Sequence, residues 1–455
     1  MSSMMHPLHC GFGALLLAGC ARAALEIVPG ATWTAVNTGE HIQAHGFGII
    51  EEDGTYYMIG EEKTDGSLFQ AVNCYSSSNL VEWTFEGQLL TRTEEEGDLG
   101  PNRIVERPKV IKNDQTGTYV MWLHIDDPDY ADARTGVATG DTVCGEYEYH
   151  ESFRPLDRQS RDIGLFKDDD GSGYLLTEDR EYGTRIMKLT DDYLGVDSET
   201  FGWEYFAESP ALVKRGDTYF LFGSQLTGWA PNDNIYTSAT SLSGPWSEWT
   251  EFAPVGSVTY RSQVNYVLPL GTDNAIYMGD RWQETNLAAS TYIWLPLNFN
   301  GAAVTLDWYD SWSVDLDAGT WGSGLPVSQL EGEAAELNGD ATVVDCSRCS
   351  GEQAAGYIGG DEGANGSAIF SVDVENAGPV TLVVKYANGD TAQRFAAVSV
   401  NGEAQTVAFL STAHLDEAGS SVVHVSLEAG ANVVEISGVN NGWGPDVDLL
   451  VVPEI

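Results

Sequence analysis

The sequence predicts an all-β chain: a five-bladed β-propeller followed by a jelly-roll β-sandwich. Three observations carry this. From Ile42 to about Leu297 no helical period is sustained, and short β-rich runs alternate with Gly, Asp and Asn turns. Within that stretch five segments repeat one pattern: a polar residue, an apolar strand, an acidic or glycine turn, an aromatic strand and a polar exit. From Gln329 onward Trp nearly vanishes and alternating Val/Ala/Ser strands take over. The expected division is a signal peptide over 1–23, the propeller over 24–300, a closing strand and linker over 301–328, and the sandwich over 329–455.

Size and composition agree with two folded units. At 455 residues the chain exceeds one ordinary domain. Its 50 glycines and 13 tryptophans, with 20% charged residues, belong to a folded, turn-rich chain with ample core material. A formal charge of −46 excludes nucleic acid and anionic membrane surfaces as partners, because both repel it. Abundant Trp and Tyr with few cations suit a neutral sugar, whose rings stack on aromatic faces and whose hydroxyls donate to carboxylates. A monomer is expected.

The chain opens on a secretory signal pattern. Phe12–Ala18 is a short apolar run, and Ala21-Arg22-Ala23 offers small residues for cleavage, so a secreted, extracellular protein is expected. Elsewhere no run approaches the roughly 20 apolar residues of a membrane span. Cleavage removes Cys10 and Cys20 and leaves Cys74, Cys144, Cys346 and Cys349. Cys346-Ser-Arg-Cys349 reads as a zinc half-site, a redox pair or a local disulfide; the lack of a second CxxC and the exported chain favour the disulfide. Whether Cys74 pairs with Cys144 stays open.

The first repeat runs from Gln43-Ala-His45-Gly through DGTYYMIG to Glu61. The second runs from Glu106-Arg107-Pro108 through TGTYVMWL to His124, and the third from Asp162-Ile-Gly through GSGYLLTE to Asp179-Arg180. The fourth runs from Glu208-Ser-Pro through DTYFLFGS, and the fifth from Gln263-Val-Asn through DNAIYMGD to Arg281-Trp282. The interval from leading residue to repeat tyrosine stays narrow, from 11 residues (Glu208 to Tyr219) to 14 (Gln43 to Tyr57). A repeat spacing of roughly 45–60 residues matches four-stranded propeller blades carrying loops. Trp308, Trp312 and Trp321, in the closing strand and linker, are expected to pack one unit on the other.

If each leading residue starts the innermost strand of its blade, then Gln43 (or His45), Glu106, Asp162, Glu208 and Gln263 converge on one end of the channel. A lone Glu at a strand start is usually solvated; three carboxylates at equivalent repeat positions are forced together. Such a ring suits glycosidic-bond hydrolysis, which needs a proton for the leaving oxygen and an attacking group on the opposite sugar face. The acid must hold its proton near neutral pH, through burial or a neighbouring negative charge. Glu208 is the expected acid, with Asp162 raising its proton affinity. Glu106, flanked by Arg107 and Lys109, is expected to stay ionised. Glu61, Asp179, Thr227, Trp229 and Asn232 complete the expected substrate contacts.

The fivefold arrangement, RDIGLFKDDDG (Arg161–Gly171) and ESPALVKRGDTYFLFGS (Glu208–Ser224) resemble glycoside hydrolase family 43, an inverting, five-bladed family. The resemblance makes Asp162 the modulator and Glu208 the acid. The family's base, an Asp on the first blade, has no counterpart in Gln43-Ala-His45-Gly. That departure is shared with the exo-β-1,3-galactanase branch, which QAHG, GEEK, VERPKV, SQLTGWAPNDN and RSQVNYV resemble together. The branch implies that Gln263 orients or activates water, that Glu106 contributes, that no cofactor is needed for catalysis, and that the substrate is β-1,3-galactan or arabinogalactan. A galactan-binding lectin and an arabinan- or xylan-active glycosidase are the alternative readings.

The C-terminal stretch resembles carbohydrate-binding module family 35 through LEGEAAEL (Leu330–Leu337), VVKYANGD (Val383–Asp390), VSVNG (Val398–Gly402) and GWGPDVDLLVV (Gly442–Val452). The resemblance implies a structural Ca²⁺ on Glu331, Glu333 and Asp448, whose hard oxygens suit that ion. Tyr357, Asn388, Arg394, Asn440, Trp443 and Asp446, in loops at one end, are the expected sugar contacts.

Overall fold

The computed structural model describes residues 25–361 and 365–455. The expected signal over 1–23, with Cys10 and Cys20, lies outside the described residues. The chain is all-β, and no described helix is long and apolar enough to cross a membrane.

Five four-stranded antiparallel sheets follow one another along the chain, each with its strands in sequence order. Their first strands are His45–Glu52, Ile104–Lys112, Ile163–Lys167, Glu208–Arg215 and Gln263–Leu270. Each first strand packs against the next, and the fifth packs back against the first. The sequence explains this stacking, because each sheet has apolar residues on both faces. Trp122 and Val120 pack with Leu175 and Met187 of the third sheet. The alternate residues Met121 and Leu123 pack with Ile59 and Cys74 of the first. Leu176 and Ile186 then meet Leu212 and Leu221 of the fourth sheet. Phe220, Met278, Trp294 and Phe47 fill the space shared by the fourth, fifth and first. Strand Tyr119–Asp126 is buried along its whole length, as a strand sandwiched on two faces must be.

Cys74 pairs with Cys144, 70 positions apart, and links the first sheet to the second. Cys346 pairs with Cys349, so the CxxC is a disulfide.

The C-terminal unit is a β-sandwich of a six-stranded and a five-stranded sheet. Val380, Leu382, Val398, Phe409 and Ile436 belong to the core between them.

Of the linker tryptophans, Trp312 and Trp321 belong to an apolar cluster that also takes in Val383 and Val422 of the sandwich, and Trp308 faces the cleft between the units. Trp312 is fully buried inside the N-terminal unit, its Nε1 donating to the Trp294 carbonyl at 2.9 Å. Trp308 packs on Tyr260 and Trp321 on Tyr309. The units are joined as well by the segment just after residue 25. Ile27 forms a β-bridge with Trp312 and Gly30 donates to Tyr292, while Thr32 exchanges backbone hydrogen bonds with Ser420 and Val422 of the sandwich.

Candidate active site

Strand register brings the repeated polar residues to one level. His45 pairs with Glu61, Glu106 with His124, Glu208 with Ser224 and Gln263 with Asp280. In the third sheet the Glu178 amide donates to the Asp162 carbonyl at 3.0 Å. Each sheet therefore offers two facing side chains at its inner end. A β-bulge follows the leading residue in the first, second and fourth sheets, placing Gly46, Arg107 and Ser209 at φ of 57°, 54° and 53°. The bulge breaks strand alternation, so the residue after the leading one also reaches the ring.

A cavity of about 350 Å³ sits over this ring, walled by Glu106, Arg107, Asp162, Glu178, Glu208 and Gln263. Trp229 and Trp282, which meet edge to face at 5.0 Å, also line it, as does Tyr130.

Two carboxyls in the cavity are pushed in opposite directions. Burial, with Asp162 and Glu178 nearby, raises Glu208 to about 8, despite Arg180 Nη2 donating to its Oε1 at 2.8 Å. Glu208 therefore holds its proton at neutral pH. Burial also opposes ionisation of Glu106, but Lys63, His124 and Arg107 outweigh it and hold this carboxyl at about 2. Lys63 Nζ lies 3.4 Å from Glu106 Oε1, and Tyr130 donates its hydroxyl to that oxygen at 3.2 Å. Although burial disfavours its charge, His124 is raised to about 9 by Asp126, at 2.9 Å, and by Glu106. Glu178 is raised by burial and by Asp162, and its carboxylate accepts from Arg180 Nε.

Gln263 is locked in one orientation. Arg107 Nη2 reaches one of its terminal atoms at 2.6 Å and Trp282 Nε1 reaches the same atom at 2.9 Å. Both groups are obligatory donors, so that atom is the amide oxygen. The amide nitrogen then donates to Ser224 Oγ at 2.9 Å and faces Glu208 Oε2 at 3.4 Å. Arg107 also pairs with Asp162 Oδ2 at 3.0 Å, and the Ser209 amide donates to that same oxygen at 3.0 Å.

Of the residues expected from sequence, Glu106, Asp162, Glu208, Gln263, Glu61 and Trp229 line the cavity. Glu61 lies at its floor, paired with Lys63 at 2.6 Å and accepting from the Arg107 amide at 2.8 Å. Five others do not line it. Gln43 sits behind the wall, its amide nitrogen donating to the Ala288 carbonyl and its oxygen accepting from the Lys63 amide. His45, the true register partner of the other leading residues, is fully buried between Asp280, at 3.0 Å, and the Tyr292 ring. Asp179 is fully buried with Arg185 and caps the Glu181 amide. Thr227 and Asn232 bond to each other and to their own loop.

Arg107, Glu178, Arg180, Tyr130 and Trp282 line the cavity without having been read as site residues. Strand geometry finds two of them: Glu178 lies opposite Asp162, and Arg107 follows Glu106 across a bulge. Glu106, His124 and Asp162 offer atoms within 4.8 Å of one another. With His124 protonated and Lys63 and Arg107 already neutralising the acids, this donor set does not suit a cation.

In the sandwich, Tyr357 and Trp443 are exposed and meet edge to face at 5.9 Å. Arg394 donates to the Gly444 carbonyl beside them, and Asn440 is exposed in the preceding turn. Burial raises the Asp446 carboxyl nearby. Asn388 is not available to sugar: it is fully buried and its amide nitrogen donates to the Ala392 and Phe409 carbonyls. Glu331 and Asp448 converge on Ser350, accepting from its hydroxyl and amide. Glu331 Oε2 and Glu333 Oε2 are buried without a partner, and burial with these two acids raises Asp448.

A cavity with one protonated and one ionised carboxyl, an oriented amide and an aromatic lining on an all-β frame defines a glycoside hydrolase. The comparisons agree. The glycosyl hydrolases family 43 pattern matches residues 44–266, and the carbohydrate binding module (family 35) pattern matches 328–454. An exo-β-1,3-galactanase from Phanerochaete chrysosporium, crystallised with galactose, is 37% identical at a TM-score of 0.66, covering 94% of this chain and 99% of its own. Variants of that protein with one glutamate replaced were crystallised with β-1,3-galactotriose. An exo-β-1,3-galactanase from Clostridium thermocellum is 26% identical at a TM-score of 0.62, covering 93% of this chain and 99% of its own. A curated relative, the exo-β-D-glucosaminidase of Amycolatopsis orientalis, is 31% identical over 193 residues, 41% of this chain and 18% of its own length. The chain spans less than a fifth of the curated relatives it matches. The chain belongs to glycosyl hydrolases family 43.

Proposed function

We propose that this protein is a secreted, inverting, exo-acting β-1,3-galactosidase that releases galactose from β-1,3-galactan, including arabinogalactan backbones. The observation that carries the chemistry is Glu208, a buried carboxyl protonated at neutral pH beside an oriented Gln263. The substrate rests on the similar galactanases, and on the galactose and galactotriose complexes of the one from Phanerochaete chrysosporium. The five sheets are read as blades of a closed five-bladed propeller, supported by the packing of the fifth first strand on the first.

In this reading Glu208 gives its proton to the glycosidic oxygen as the bond to the anomeric carbon breaks. A water on the opposite face forms the new carbon–oxygen bond. The Gln263 oxygen already accepts from Arg107 and Trp282, so it does not take that water's proton; the fixed amide shapes the wall beside it. The ionised Glu106 receives the proton; a weak base suffices, because water bonded to an oxocarbenium-like carbon is a strong acid. Asp162 holds Arg107 in place and keeps the Glu208 proton affinity high. Trp229 and Trp282 supply the sugar platform.

The orphan oxygens of Glu331 and Glu333 beside Asp448 fit a structural Ca²⁺ in the sandwich, whose exposed Tyr357 and Trp443 bind the polysaccharide. A substrate panel of β-1,3-galactan, arabinan and xylan, with the product anomer followed by NMR, tests activity, linkage and stereochemistry together. α-Galactose released first from β-1,3-galactan is the expected result. Binding without released sugar supports a lectin instead.

A further inference from the structure

A second cavity, of about 320 Å³, lies between the two units. Arg261 and Arg281 face it from the N-terminal unit, Lys385 and His414 from the sandwich. This is unusual in a chain with 68 acidic and 22 basic residues. The two acids on its walls are Asp310 and Glu417, and Asp310 is engaged by Trp308 Nε1 at 2.8 Å. Arg261, Arg281 and Lys385 make no ion pair among the described residues. Lys385 Nζ donates to Ser420 Oγ at 2.8 Å, and Arg281 Nη2 to the Tyr260 carbonyl at 3.0 Å. Arg281 Nε is buried without a partner. Burial and the repulsion of Arg261 outweigh the attraction of Glu417 and hold Arg281 down to about 10; burial, Arg261 and Arg348 lower His414 as well.

The cleft is shaped for these groups. Arg281 lies against Gly30, where a Cβ would fall 2.3 Å from its Nη1. Residues 258–261 form a left-handed turn, φ 47° to 61°, that delivers Arg261. The Trp308 ring, 38% exposed, lies 6.0 Å from the Arg281 guanidinium carbon. A small cavity shares Arg261 with the cleft and shares Trp229, Gln263 and Trp282 with the catalytic cavity. The two sites therefore adjoin.

Cations that outnumber the acids around one cleft favour an anion, and the aromatic face of Trp308 beside them, with the catalytic cavity adjoining, favours that anion being part of a saccharide. We propose that the cleft is a second binding site for a carboxylate-bearing sugar, a uronate carried by the polysaccharide whose neutral end enters the catalytic cavity. This rests on the glycoside hydrolase reading of the first cavity, not on galactan as its substrate.

The test titrates the full chain at low salt with glucuronate, galacturonate, galactose and inorganic sulfate, by calorimetry, using wild type, Lys385→Ala, Arg261→Ala and Trp308→Ala. A uronate is expected to bind at least about tenfold tighter than galactose, the scale of one charge-assisted hydrogen bond, and to weaken by about that factor in Lys385→Ala and Arg261→Ala and on adding salt. Lys385→Arg is expected to restore binding, and unchanged hydrolysis of a small neutral substrate by the Lys385 variants shows that they fold. Equal uronate affinity in wild type and both Ala variants overturns the site. Sulfate binding as tightly as uronate, and unaffected by Trp308→Ala, overturns the saccharide assignment in favour of a plain anion site. Uronate binding with no sugar released from galactan refutes the substrate reading and leaves this one standing.

Discussion

Replacing Glu208 by Gln removes a proton donor while preserving shape, and the structure predicts two effects of different kind. Hydrolysis falls by several orders of magnitude at every pH, because the leaving oxygen loses its acid. Stability moves the other way. The folded Glu208 carboxyl titrates near 8 and an unfolded one near 4.5. Below pH 4.5 both states hold the proton and the variant matches wild type. As pH rises from 4.5 to 8 the unfolded state ionises first, so wild type loses stability by about 1.4 kcal/mol per pH unit while the amide does not. At pH 7 the variant is expected to be about 3 kcal/mol more stable. Denaturant unfolding at pH 4.5, 6 and 7 measures this, with kcat/KM from reducing-sugar release alongside. A stability difference that stays flat from pH 4.5 to 7 refutes the buried, protonated Glu208, whatever the activity does.

Glu106→Gln is expected to show the opposite sign: its folded carboxyl lies near 2, so its stabilisation is full above pH 4.5 and is lost as pH falls through 2, and the variant should be about 3 kcal/mol less stable at neutral pH and converge with wild type in acid. The kcat/KM profile of the wild type should fall above about pH 8, as Glu208 loses its proton; a flat profile to pH 10 would assign the acid elsewhere. Breaking Cys74–Cys144 by substituting both with Ser should cost about 4 kcal/mol, from the 70-residue loop it closes, as read by chemical denaturation. Chelation with EDTA should lower the unfolding temperature of wild type but not of Glu331→Gln/Glu333→Gln; an equal effect on both would place any metal elsewhere.

The repeat was readable because it is written in turn residues and aromatic strands, which vary little from sheet to sheet. Glu208, Asp162, Glu106 and Gln263 were found through it, since equivalent positions in a repeat become neighbours in space. What stayed hidden depended on register. Gln43 and His45 are two residues apart, so a period of two puts them on the same face, and only the pairing of His45 with Glu61 shows which one stands level with Glu106. Glu178 was overlooked because it precedes the more conspicuous Asp179-Arg180, although Asp179 turns inward to Arg185. Thr227 and Asn232 looked like sugar contacts, but a loop must first satisfy its own backbone, and theirs does so with these side chains. The joining role of residues 26–34 left no sequence signal, because its contacts to the sandwich are made largely by the main chain.

The bulges after His45, Glu106 and Glu208 carry a lesson about substitution. Positions 46, 107 and 209 all sit at positive φ, yet they hold a glycine, an arginine and a serine. At 46 a Cβ would fall 2.1 Å from Glu61 Oε1, so a larger residue must displace a carboxylate that the Arg107 amide and Lys63 hold. At 107 the same backbone twist is filled by the guanidinium that binds Asp162 and Gln263. One backbone irregularity, repeated around the ring, is thus a socket: closed in the first sheet and holding a functional side chain in the second. Redesign of the pocket has its natural handle there, with Asn or Gly accepted at 107 and β-branched residues refused.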